Sequence, residues 1–211
     1  MEHLDGIAER IHLSFNAQTA ARDRALAQAR SLTRHCANAI RAVHREENEL
    51  AQQNLKEARL LVQGLRQGLA DYPDLYYAGY TQDALKEYTE ASLVYALILD
   101  LALPTPEGLQ VEYNTYLQGL AEAAGELRRR CMDILRHRHS KEAERLLGVM
   151  DDIYTILVTM DYPDAITGGL RRLTDVVRGV TERTRGDLTI SLRQEQLEAS
   201  LQRLEDRLGQ A

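Results

Sequence analysis

Four glutamates and a row of arginines are the residues whose types and spacing in this sequence fit a chemical role. In "LKEYTEASLVYALILDLAL", Leu85 to Leu103, the residues Val94, Leu97 and Leu101 share one helical stripe at steps of three and four. Run backwards, the same stripe meets Glu90 and Glu87. A charge among apolar neighbours costs on the order of several kcal/mol or takes up a proton. A helix end open to water, a cationic partner or a metal ion would each make the placement tolerable. A second pair, Glu122 and Glu126 in "GLAEAAGELRRR", is one helical turn apart, but Arg129, Arg130 and Asp133 share that face. An exposed lattice of i,i+4 pairs accounts for this second pair equally well.

Four carboxylates brought together by two facing helices would form an oxygen-only site suited to Mg²⁺ or Mn²⁺. A bound ion of that kind lowers the pKa of a water and stabilises charge on a phosphate during in-line displacement. Competing chemistries lack their residues. A di-iron bundle needs paired Glu-x-x-His motifs, and only Glu9 with His12 has that spacing. No Ser-His-Asp set, Gly-rich phosphate loop or zinc spacing stands out. The histidines, including the "RHRH" run that ends at His139, read as surface or loop residues. Tyr76, Tyr77, Tyr80, Tyr88 and Tyr95 read as packing groups with hydrogen-bonded hydroxyls.

The arginine row lies upstream. Between Arg22 and Arg45 the only acid is Asp23, whereas Arg22, Arg24, Arg30, Arg34, Arg41 and Arg45 are cationic. With Arg30 at zero and about 100° per residue, Arg41 falls near about 20°, Arg34 near about 40° and Arg45 near about 60°. Leu32, Cys36, Ala39, Ile40 and Val43 gather on another side, so one helix would pack with one face and display guanidinium groups with another. Such a row fits a nucleic-acid backbone without reading bases. It equally fits a solvated face balanced by Glu46, Glu47 and other acids.

The elements that must carry these residues are helices. Apolar periodicity of the helical kind runs almost throughout, and no alternating β-branched run is long enough for a strand. The pattern predicts helices over about 4–45, 49–69, the opening stretch, 113–136 and 140–160, then one ending near Arg185 and a last one with Leu197, Leu201, Leu204 and Leu208 on one stripe. "DYPD" at Asp71–Asp74 and again at Asp161–Asp164 marks turns, and "LPTPEG" at Leu103–Gly108 marks the clearest loop. The class is all-α, a seven-helix bundle read as a single domain over residues 1–211.

Composition bounds the rest. The 211 residues include four prolines and one phenylalanine, which favours helix over sheet. Two cysteines, Cys36 and Cys131, make neither a disulfide framework nor a zinc site and fit a reducing cytosol. The start "MEHLDGIAERIHLSF" has acids where a signal peptide needs bases, and no membrane span is read. The net charge of −6 argues against nucleic acid only if spread evenly, and the arginine row shows that it is not.

Read in order, "AIRAVHR" at Ala39–Arg45, "YYAGYTQDALKEYTEA" at Tyr76–Ala91, "LPTPEGL" at Leu103–Leu109, "YLQGLAEAAGELRR" at Tyr116–Arg129, "MDDIYTILVTMDYPDAITGGLRR" at Met150–Arg172 and "ERTRGDLTISLR" at Glu182–Arg193 resemble the translin family, and its Trax (translin-associated factor X) branch more than translin itself. The resemblance implies a seven-helix protomer in a closed shell, most simply an octamer, alone or with a second translin-family subunit. It also implies binding of single-stranded RNA or DNA, and Mg²⁺- or Mn²⁺-dependent endoribonuclease activity. Its acidic segments fall here on Glu87, Glu90, Glu122 and Glu126 as catalytic residues and metal ligands, and its nucleic-acid face on Arg30, Arg34, Arg41, His44 and Arg45. Two positions depart from the pattern. Glu122 stands where the branch has aspartate, and Ala37 and Asn38 stand where the family often has Lys-Arg.

Overall fold

The computed structural model describes residues 2–136 and 140–208; His137 and His139 of the "RHRH" run lie outside the described residues. Among the described residues there are nine helical segments and no strand. Six are long: α1 (Glu2–His44), α2 (Asn48–Gly68), α4 (Gly79–Ile98), α6 (Tyr113–Leu135), α7 (Ser140–Val158) and α9 (Leu170–Leu208). Three are single turns at the expected punctuation: α3 (Pro73–Tyr76), α5 (Pro106–Leu109) and α8 (Asp164–Thr167). Each short helix begins at or just after a proline, whose fixed φ and missing N–H suit a first turn. Thr105 caps α5, its hydroxyl accepting from the Gly108 amide at 3.1 Å. No helix among the described residues is long and apolar enough to cross a membrane.

The chain divides into two compact units, Met1–Tyr95 with Pro104–Gly119, and Ala96–Leu103 with Leu120–Ala211; α4 and α6 each begin in the first and end in the second. In the first unit α1 packs along α2, with Ala21, Ala25 and Ala29 buried at i,i+4 spacing, small residues that let helix backbones approach. Leu32, Cys36 and Ala39 continue that face, and Val62, Leu65, Leu85 and Tyr88 complete the core. His35, read as a surface residue, instead faces α2, its Nδ1 3.0 Å from Asn54 Oδ1. Asn54 passes the network on by donating to the Leu50 carbonyl. Arg66 ties the α5 corner together by donating to the Tyr76 hydroxyl and to the Gln110 carbonyl, each at 2.8 Å. Tyr95 accepts from Gln52, whereas the Tyr80 hydroxyl has no hydrogen-bond partner and Tyr77 is exposed, so the tyrosines do not share one role.

In the second unit Leu146, Met150 and Leu157 of α7 are buried, and so are Leu170 and Val177 of α9. The helix expected to end near Arg185 does not end there: α9 runs unbroken to Leu208. A lone Gly186 without a following proline is too weak a breaker. Thr184 and Thr189 return their hydroxyls to the carbonyls of Val180 and Arg185, and Arg185 pairs with Asp151 of α7. The sixth and seventh helices of the sequence reading are therefore one element.

The end of α4 also differs from the stripe drawn through Leu101. Asp100 takes a left-handed conformation, φ 56, and the Leu101 amide turns back to the Ala96 carbonyl. Leu101 lies past the helix and is exposed. The freed carbonyls of Leu97 and Ile98 are met by Arg145 of α7, which donates to Leu97 O at 3.1 Å and to Ile98 O at 3.1 Å. The same guanidinium holds Glu142 at 2.6 Å.

Candidate metal centre and nucleic-acid interface

An amphipathic reading of α4 assigns one face to the core, yet every residue from Tyr88 to Val94 is buried. The helix has no solvent face over these turns, and Glu90 lies within the run at 9% exposure. Glu87, one turn earlier, is partly buried. Both carboxylates lie close enough to Cys36 of α1 to act on its thiol. Burial pushes that thiol well above its ordinary range, and the charges of Glu87 and then Glu90 push it further. The thiol is therefore held protonated.

The start of α6 meets α4 within the first unit. Thr115 donates to Gln82 Oε1 at 2.8 Å. One turn on, Gly119 lies so near Thr89 that a Cβ at position 119 would stand 2.7 Å from the Thr89 Cβ and 3.0 Å from the Glu90 amide nitrogen. No sequence signal selected this contact, although the small residues Gly119, Ala121, Ala123 and Ala124 are the kind that permit one.

Glu122 and Glu126 lie further along α6, in the second unit, and both are partly buried. Glu126 pairs with Arg129 at 3.5 Å, an i,i+3 contact of the lattice type that the sequence leaves open. That guanidinium competes with any cation for the Glu126 oxygens. Arg128, the neighbouring position, turns instead to α9, where it donates to Thr184 at 3.1 Å and to Asp187 at 2.8 Å. As a donor set, carboxylate oxygens without imidazole or thiolate fit a hard divalent cation such as Mg²⁺ or Mn²⁺ better than Zn²⁺.

On α1, Arg30, Arg34 and Arg41 are exposed, as is Arg45 just past the helix end at His44, while Leu32, Cys36, Ala39, Ile40 and Val43 are buried, as the helical angles require. His44 is partly buried at the edge of this row. Arg34 reaches back to Ser31 at 3.4 Å, and Arg41 donates to Asn38, one of the two positions where the family pattern is often basic. These local bonds along the helix hold guanidinium groups on the outward face without engaging an acid.

No protein-family model matches the chain. It is 30% identical over 191 residues to an uncharacterized protein of Methanocaldococcus jannaschii, covering 90% of this chain and 84% of the relative. Among solved structures, AfC3PO in complex with duplex RNA superposes with a TM-score of 0.81 at 32% identity, covering 87% of this chain and 95% of that one. Apo-NeC3PO, at 20% identity and a TM-score of 0.80, shares the fold. The all-α protomer thus has its fold counterparts among C3PO structures, which are translin and Trax assemblies. The chain belongs to the translin family, on its Trax-like branch.

Proposed function

We propose that this protein binds single-stranded RNA or DNA through Arg30, Arg34, Arg41 and His44 of α1 with Arg45 just beyond it, and cleaves RNA as a Mg²⁺- or Mn²⁺-dependent endoribonuclease. The metal would be held by Glu87 and Glu90 with Glu122, which α6 carries one turn beyond Gly119; Glu126, already paired with Arg129, is the weakest of the four. The observation that carries this reading is the placement of two carboxylates one turn apart on α4, Glu90 inside the stretch that is buried all round and Glu87, partly buried, at its edge. When bound, the ion supplies Lewis acidity toward a phosphate oxygen and a water of lowered pKa. The chain's own groups do the rest. The arginines hold backbone phosphates as sequence-indifferent cationic donors, and the ionised carboxylates fix where a cation can sit against the strand. The likeness to AfC3PO, captured with duplex RNA, supports nucleic-acid binding. We place the protein in a reducing cytosol, where its two free, buried thiols persist, and in a closed homo-octamer or a mixed shell with a second translin-family subunit.

The second reading, a binding shell without catalysis, draws on the Glu126–Arg129 pair and on Glu122 in place of aspartate. One experiment separates the two. Purified protein is incubated with labelled single-stranded and duplex RNA in Mg²⁺, Mn²⁺ or EDTA, alongside Glu90→Gln and a variant with the four arginines replaced by alanine. The nuclease reading expects metal-dependent cleavage that is abolished in Glu90→Gln while RNA binding persists or tightens. It expects the quadruple variant to lose binding for all sequences alike. Binding without cleavage in any metal leaves the shell as the function.

A further inference from the structure

We infer that Gly119 is a positioning residue for the α4 carboxylates, its missing side chain letting the α6 backbone lie directly against Thr89 and Glu90. The inference rests on the metal reading above and assigns a residue to it that is neither a ligand nor a contact to RNA.

A glycine inside a helix is disfavoured against alanine, so one in the interior of α6 needs a reason. Gly125, on the same helix, has nothing within 4 Å of where its Cβ would stand. Gly119 is different: an added Cβ would meet the Thr89 Cβ at 2.7 Å, its Cγ2 at 2.8 Å and the Glu90 nitrogen at 3.0 Å. None of these atoms can give way. The Thr89 Cβ is fixed to the helix backbone, its hydroxyl is bonded to the Leu85 carbonyl at 2.9 Å, and the residue is fully buried. The preceding turn of α6 is anchored to α4 by the Thr115 to Gln82 bond, so α6 cannot simply roll away. A side chain at 119 must therefore drive the two backbones apart at the residue that carries one carboxylate.

The test is Mn²⁺ affinity, measured by calorimetry on the folded protein without RNA. Four proteins are compared: native, Glu90→Gln, Gly119→Ala, and the swap Thr89→Gly with Gly119→Ala, which moves the Cβ from one helix to the other. Gly119→Ala is expected to bind Mn²⁺ roughly 10- to 100-fold more weakly, as when a ligand's supporting contact is lost, and the swap, which leaves only the 3.0 Å approach to the Glu90 nitrogen, to recover most of that loss. A purely structural glycine would lower the melting temperature in Gly119→Ala but leave the affinity of the folded protein unchanged. Native protein that binds Mn²⁺ while Gly119→Ala binds equally well overturns this role and leaves the metal reading standing. Native protein that binds no Mn²⁺ overturns both. If Gly119→Ala does not fold, the swap decides alone: near-native affinity supports the role, and a folded swap that binds tenfold more weakly overturns it.

Discussion

A carboxylate and a thiol side by side report on each other's surroundings. Cys36 is raised first by burial and then by Glu87 and Glu90, and Cys131 is pushed up to about 11, again by burial first, then by the charge of Glu142. An unfolded thiol ionises near its ordinary value of 9.0, whereas both thiols stay protonated in the folded chain beyond it. Above that value the folded state binds more protons than the unfolded one, so stability must fall as pH rises. The urea midpoint is expected to hold up to about pH 8, to decline toward about pH 11, and to decline less in a Cys36→Ala, Cys131→Ala variant. A midpoint that stays flat through that window, or an equal decline in the variant, would contradict the burial of these thiols. The same burial predicts that at about pH 8 a thiol reagent labels the denatured chain and spares the native one.

Among elements, α4 is the one whose two ends explain its middle. Its start is fixed by Thr81, whose hydroxyl donates to the Leu75 carbonyl at 2.8 Å, and its end by the left-handed Asp100 and by Arg145. Arg145 satisfies backbone oxygens that would otherwise be left without donors at a helix C-terminus, and its side chain is only 28% exposed. Replacing Arg145 by alanine is expected to cost about 2 kcal/mol, because it removes a charged donor from several acceptors at once. Replacing it by lysine should recover only part of that, since an ammonium cannot span two carbonyls and the Glu142 carboxylate as a planar fork does. Chemical denaturation of the three proteins checks this, and an alanine variant as stable as the native chain would show that water serves these carbonyls equally well. The Asp100 contact at 3.4 Å adds little, because that carboxylate is 83% exposed and screened by solvent.

At the scale of the whole molecule, the far end of α9 leaves an apolar stripe largely exposed. Leu197, Leu201, Leu204 and Leu208 fall on one stripe and are 59%, 50%, 52% and 68% exposed. Monomers seldom leave such a stripe to water, and a closed assembly is the economical way to cover it. Light scattering at micromolar concentration is expected to give the mass of several chains, most simply eight. A Leu201→Glu, Leu204→Glu variant is expected to form smaller species with its helix content intact. A sharp monomer mass for the native protein would remove the shell from the account.

The all-α class, the break between α4 and α6 at Leu103–Gly108, the turns at both "DYPD" segments and the split between the buried and arginine faces of α1 were all legible in the sequence, whereas the single turn α5 within that break was not. Each depends on local rules: proline geometry, turn chemistry and a 3.6-residue period acting within a few turns. The same rules placed Glu87 and Glu90 in line with core positions but drew them as intruders on one apolar stripe. Only the packing of other elements around Tyr88–Val94 shows a helix with no outside, and that depends on residues far away in the chain. The unbroken α9 was likewise hidden, because Gly186 is a weak local signal and the bonds of Arg185 to Asp151 and of Arg128 to Asp187 act across helices. The approach of Gly119 to Thr89 joins positions thirty residues apart. Periodicity tells which way a side chain points from its own helix axis, but how closely two axes approach is decided by the volumes that meet between them.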